Sequence, residues 1–252
     1  MVERTITATV AAQPECGVAV WAPRRLRDMK GFQKTGQLLD DQVDPVDKAA
    51  AIALDRLASD IAHDVADERA RGVRRLILSE ENLMGGMRNN FRTGVFYPNV
   101  ARRLAAFDTL LPASPSLVAL GVRDYGAVWT SAYHYLPQSG QVAPPLDQIR
   151  PVLLEDRRGW PDVVDDIKDV WPDARIIMWR QEDLNDNLRG VCATLAGTDP
   201  ARMTVPDGKI NARKDSTPRP VVFSDTELKH LSTRYVRHLR RLRADDAIVW
   251  AA

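Results

Sequence analysis

Apolar residues recur along this chain in two alternating patterns, short concentrated runs and longer stretches at helical spacing. Val18, Val20 and Trp21 form a short run stopped by Pro23, which predicts a strand entering a loop. Ala50, Leu54, Leu57, Ile61 and Val65 then recur three or four residues apart, and predict a helix over about 44–71 that starts near Asp44-Pro45 and stops at Gly72. Leu76-Ile77-Leu78, Leu117-Val118-Ala119-Leu120 and Ile176-Ile177-Met178-Trp179 are dense enough for buried strands. Helices are expected over about 100–110, from 124 to near Leu136, over 161–171 between two prolines, and over 184–195. Residues 139–151 and 197–220, rich in turn formers, read as loops. Ser224 with Glu227 three residues later has the form of a capping box and opens a last helix to about Arg243.

Strands alternating with helices of this length predict an α/β domain over 1–252 with a mostly parallel sheet flanked by helices on both faces. In such folds ligands sit beyond the carboxyl ends of the strands, so the polar tips are the places to look: Glu80-Glu81-Asn82, Arg123-Asp124 and Glu182-Asp183.

Composition narrows the classes. With 44% hydrophobic and 27% charged residues the chain is of ordinary globular type, and no apolar run approaches a membrane span. No secretory signal is visible after Met1, so the expected setting is cytoplasmic, with no membrane partner. Cys16 and Cys192 lie far apart without metal-ligand spacing, which gives no reason to expect a metal. A net charge of +1 argues against nucleic acid as partner. Two basic runs, Arg24-Arg25-Arg27-Lys30 and Arg234-Arg237-Arg240-Arg241-Arg243, read as solvated faces unless a phosphate site lies beside them.

The segment Val118-Ala119-Leu120-Gly121-Val122-Arg123 delivers an arginine to the sheet edge, and Ser131 follows eight residues later on a helix. A guanidinium fork and a hydroxyl so placed suit one phosphate. This strand, Arg and Ser with Tyr133 beyond resembles the element by which sulfotransferases hold the 3′-phosphate of 3′-phosphoadenosine 5′-phosphosulfate (PAPS), although the proline of the family's R-x-P-x-D is absent here. Arg175-Ile176-Ile177-Met178-Trp179-Arg180-Gln181-Glu182-Asp183-Leu184 is similar to the family's late strand ending in E-D-L. Leu76 to Asn82 is similar to a strand ending in S-x-E in bacterial members.

The resemblance implies a P-loop NTPase-like sulfotransferase architecture in which the first strand is lacking or altered, with PAPS as co-substrate and a carbohydrate or small metabolite as acceptor. Arg123 and Ser131 would hold the 3′-phosphate, and Arg213 and Lys214, from the loop before the last helix, would add a second contact. Glu80 or Glu81 would be the base, the competing reading being that one caps the following turn and the other is solvated. Arg4-Thr5-Ile6-Thr7-Ala8-Thr9 looks like an eroded R-T-G-T-T loop, so Arg4, Thr5 and Thr7 would be remnants of the 5′-phosphosulfate site, with Ile6 in place of the glycine that allows close backbone approach. The K-T-G at Lys34-Thr35-Gly36 follows no strand-like run and is read as a decoy. No G-x-x-x-x-G-K-[ST] occurs, which sets a nucleotide kinase aside. A binding protein that keeps the fold and the 3′-phosphate site without transfer is the alternative, and an uncovered sheet edge leaves a homo-oligomer open.

Overall fold

The computed structural model describes residues 1–29, 48–80, 82–206 and 219–251. Ten α-helices and five strands follow one another in these segments. They are α1 Val2–Ala12, β1 Val18–Trp21, α2 Pro23–Asp28, α3 Lys48–Ala70, β2 Arg75–Leu78, α4 Met87–Thr93, α5 Val100–Asp108, β3 Leu117–Val122, α6 Tyr125–Gln138, α7 Leu146–Glu155, α8 Trp160–Val170, β4 Arg175–Arg180, α9 Leu184–Ala196, α10 Asp225–Arg243 and β5 Ile248–Trp250.

Every strand pairing is parallel, as the strand-helix alternation requires, because a parallel partner can be reached only by a crossover. The pairing forms two sheets rather than one. β1 pairs β2 from Val18↔Arg75 to Trp21↔Leu78, and β4 lies between β3 and β5, with Leu117↔Arg175 and Ile176↔Ile248 setting the register. Successive β4 side chains point to opposite faces. Ile176 and Met178 enter a core with α5, α6, α8 and α10 residues, whereas Ile177 enters one with Ile6 of α1 and Leu188, Val191 and Leu195 of α9. A third core puts Trp21 and Leu26 against Leu57 and Ile61 of α3 and Phe107 and Leu110 beside it. Both sheets are thus covered on both faces.

Three sequence expectations are corrected. Residues 4–9, read as a remnant phosphate loop, lie inside α1, whose Ile6 is 1% exposed. An isoleucine in a packed helix is the reason no glycine stands there. The predicted loop over 139–151 contains the start of α7, which accommodates Pro151 within it. Finally β5 was not expected at all: three residues give too short a run to show a period, and the strand exists because Ile248 to Trp250 find the open edge of β4. The capping box is as read, with the Ser224 N–H donating to Glu227 at 2.7 Å and the Glu227 N–H to the Ser224 hydroxyl at 3.4 Å.

Candidate functional site

The carboxyl ends of the strands gather the polar tips, in two neighbourhoods. At the β1–β2 end the guanidinium of Arg27, on α2, donates from Nε to Glu80 Oε2 at 2.9 Å and from Nη2 to Oε1 at 2.7 Å. The Glu80 side chain is only 3% exposed, and its Oε1 also accepts from the Asn82 backbone N–H and side-chain amide at 3.1 and 3.2 Å. A general base needs a free lone pair facing its substrate, and this carboxylate is occupied by an arginine fork and an Asx-like turn. The buried Arg103 fixes the same loop from below, donating to the carbonyls of Leu83 and Asn82 at 3.0 and 2.6 Å. Glu81, the other expected base, lies outside the described residues, as do Arg213 and Lys214.

Two members of the first basic run, Arg25 and Arg27, are thus engaged within the fold, while Arg24 is exposed and Lys30 lies outside the described residues. Arg25 donates to Glu68 at 2.9 Å and stacks over Trp21 at 4.4 Å, while Arg27 holds Glu80.

At the other neighbourhood Arg123 directly follows the end of β3. Its carbonyl accepts from Trp160 Nε1 at 2.8 Å, which fastens the strand tip to the start of α8. Its side chain is exposed and, among the described residues, engages no hydrogen bond or ion pair. Asp124 caps α6, its Oδ1 accepting from the Gly126 and Ala127 N–H groups at 2.9 and 3.3 Å. The first donors of that helix are consequently spent on the cap. Ser131 is exposed on α6, on the same stripe as Val128 and Tyr135. It stands about 9 Å along the helix axis from the first turn, at about 1.5 Å per residue. A phosphate shared by Arg123 and Ser131 would thus lie along the exposed side of α6 rather than at its tip. Arg4 and Thr7 are exposed on α1, and Thr5 is fully buried. These three residues thus stand on a helix rather than in a loop, with the Thr5 N–H donating to the Met1 carbonyl at 3.0 Å.

Between β3, β4 and α10 runs a cleft of about 480 Å³ lined by Asp124, Arg180, Glu182, Tyr235, Arg240 and Arg243, among others. Glu182 accepts from the Asp124 N–H at 2.9 Å and from the Tyr235 hydroxyl at 3.2 Å, so both its oxygens are used. Burial and the nearby Glu182 charge push the Tyr235 phenol above its ordinary range, keeping it a donor. Glu182 also pairs with Arg180 at 3.6 Å, and Arg180 with Asp183 at 3.4 Å. Arg240 and Arg243 are left without a carboxylate partner among the described residues, Arg243 lying over the Trp250 ring at 5.4 Å.

Behind this edge sits a buried polar chain that sequence reasoning missed. The Trp160 N–H donates to Tyr125 Oη at 2.8 Å, and Oη is 2.7 Å from His238 Nδ1. Which of Tyr125 Oη and His238 Nδ1 donates in that bond depends on the imidazole tautomer. Burial, then Arg234 and Arg237, hold the His238 pKa below its ordinary value, and burial pushes the Tyr125 phenol far up. Arg234 is itself 6% exposed, donates to the Asp156 carbonyl and stacks on Tyr125 at 4.6 Å. The second basic run thus contains one core residue, and only its position on the inward stripe with Leu231 and His238 could have shown it.

Comparison with protein-family models, with curated proteins and with solved structures finds no match. Among the described residues no helix is long and apolar enough to cross a membrane.

Proposed function

We propose that the chain binds a 3′-phosphorylated adenine nucleotide of the PAPS type, in a P-loop NTPase-like sulfotransferase fold whose first strand is altered. The observation that supports this most is Arg123: a parallel strand carries it to the sheet's carboxyl edge, where its side chain is exposed and without an internal partner among the described residues, while Ser131 is exposed on the helix that follows. A guanidinium fork has the geometry for two oxygens of a phosphate monoester.

The reaction such binding serves is sulfuryl transfer to a hydroxyl or amine of a carbohydrate or small metabolite. The acceptor oxygen or nitrogen bonds to sulfur, the bond from sulfur to the bridging phosphate oxygen breaks, the acceptor proton passes to a base, and adenosine 3′,5′-bisphosphate leaves. A second reading, binding without transfer, is favoured by two observations. Residues 4–7 are helical and Thr5 is buried, and Glu80 is filled by Arg27 and Asn82.

Titration with adenosine 3′,5′-bisphosphate beside adenosine 5′-monophosphate separates the 3′-phosphate contact from general nucleotide affinity. Tighter binding of the bisphosphate by about tenfold or more supports the reading; equal binding contradicts it. Incubation with PAPS and acceptor mixtures, followed by chromatography of released bisphosphate, then decides between transfer and binding alone.

A further inference from the structure

A second cleft of about 430 Å³ opens at the ends of β4 and β5, and shares Arg180 and Arg243 with the first. Its other walls are Trp179 and Trp250, Leu184 and Asn187 of α9, and Asp183. That volume falls within the range of about 300–1,000 Å³ typical of small-ligand sites. Two indole rings and a leucine give the cleft an apolar surface, and Asp183 and Asn187 give it an acceptor and an amide. Arg180 pairs with Asp183 at 3.4 Å and with Glu182 at 3.6 Å, and among the described residues its buried Nε makes no hydrogen bond. Among the described residues Arg243 meets the Trp250 ring and has no carboxylate partner. Of the two cations at the mouth Arg243 is thus the one without a carboxylate partner among the described residues, while Glu182, which pairs with Arg180, also accepts from Asp124 and Tyr235.

From this set of groups we infer that the cleft takes an acidic sugar, a hexuronate or a chain end bearing one. The C–H face of a pyranose lies on an indole ring, its hydroxyls find Asp183 and Asn187, and its carboxylate reaches Arg180 and Arg243. A flat aromatic acid would use the rings and the cations but leave Asp183 and Asn187 idle; a neutral sugar would leave the cations idle. The inference stands on the cleft itself and is tested without nucleotide, so its failure and that of the nucleotide reading are separate results.

The chain has six tryptophans, so the indole N–H resonances of uniformly ¹⁵N-labelled protein can be followed singly, with Trp179 and Trp250 assigned by Trp→Phe variants. D-glucuronate is the probe, D-glucose the neutral control. The expected result is that glucuronate moves the Trp179 and Trp250 resonances, that glucose does so at least about tenfold more weakly, and that Arg243→Gln removes the difference. Arg243 is exposed near the end of α10, so the variant keeps the fold, which the other four indole resonances report. The inference is overturned if neither resonance moves by about 10 mM glucuronate, if glucose and glucuronate bind alike, or if Arg243→Gln leaves the preference intact.

Discussion

Arg27 closes on both carboxylate oxygens of Glu80 across the ends of two adjacent parallel strands, at 2.9 and 2.7 Å. The pair ties α2 to the loop after β2, and Asn82 and Arg103 complete the knot.

Replacing Glu80 by Gln leaves a guanidinium with half its partner and loosens this corner. Because Arg27 is 35% exposed, the expected loss is about 1–3 kcal/mol rather than the larger penalty of a fully buried pair. Urea unfolding of Glu80→Gln, Arg27→Gln and the double variant measures it: strong coupling between the two supports a structural pair, and additive effects contradict one. In the same variants a lost activity with unchanged stability would return Glu80 to the role of base.

His238 sets a pH dependence. Its pKa in the folded chain is held below the ordinary 6.5, so the unfolded chain takes up the proton first as pH falls. The stabilisation is complete above that value and is lost progressively as pH drops through 6.5 towards the folded pKa. Asp156, raised by burial, acts in the opposite sense, since its stabilisation is present at low pH and lost as pH rises through its folded value. The informative quantity is therefore the difference between wild type and His238→Gln, whose melting temperatures should converge as pH is lowered from about 7.5 to 5.5. A difference that does not change with pH contradicts this account.

Gly159 lies where Tyr125 and His238 meet. A Cβ there would stand 2.1 Å from Tyr125 Oη and 2.6 Å from His238 Nδ1, so Gly159→Ala must push the pair apart. A loss of about 1–3 kcal/mol is expected, in the range of overpacked cores, together with a changed environment at the His238 ring in its NMR spectrum. A neutral substitution would show that the Tyr125–His238 bond is not what orders this corner.

Much of this arrangement was legible in the chain, and the failures have physical causes. Dense apolar runs located β1 to β4 because strands covered on both faces show no polar alternation, and a cap such as Ser224 is local chemistry. The carboxyl-edge position of Arg123 and Glu182 followed from the parallel topology alone. Partners distant in sequence were not visible: that Arg27 meets Glu80, or that Tyr125 meets His238, depends on crossovers that no local pattern encodes. The N-terminal segment misled because Arg4-Thr5-Ile6-Thr7 matches the loop at every letter but the glycine, whereas it folds as a helix whose Ile6 and Val10 join the core containing Val191 and Leu195.

Gly121 offers a check on the Trp-walled cleft that needs no ligand. A Cβ at Gly121 would lie 2.9 Å from Trp179 Nε1 and Cε2, so Gly121→Ala must displace the ring. The Trp179 indole resonance should shift and stability fall by about 1–3 kcal/mol. An unmoved resonance would mean that Trp179 does not pack on β3 as described.

The account turns on Arg123. Isothermal titration of the purified chain with adenosine 3′,5′-bisphosphate, run beside Arg123→Ala, tests it most directly. Micromolar binding by the wild type, weakened at least about tenfold in a variant that melts at the same temperature, is the predicted result. Absence of binding by the folded wild type, or equal binding by the variant, would contradict it.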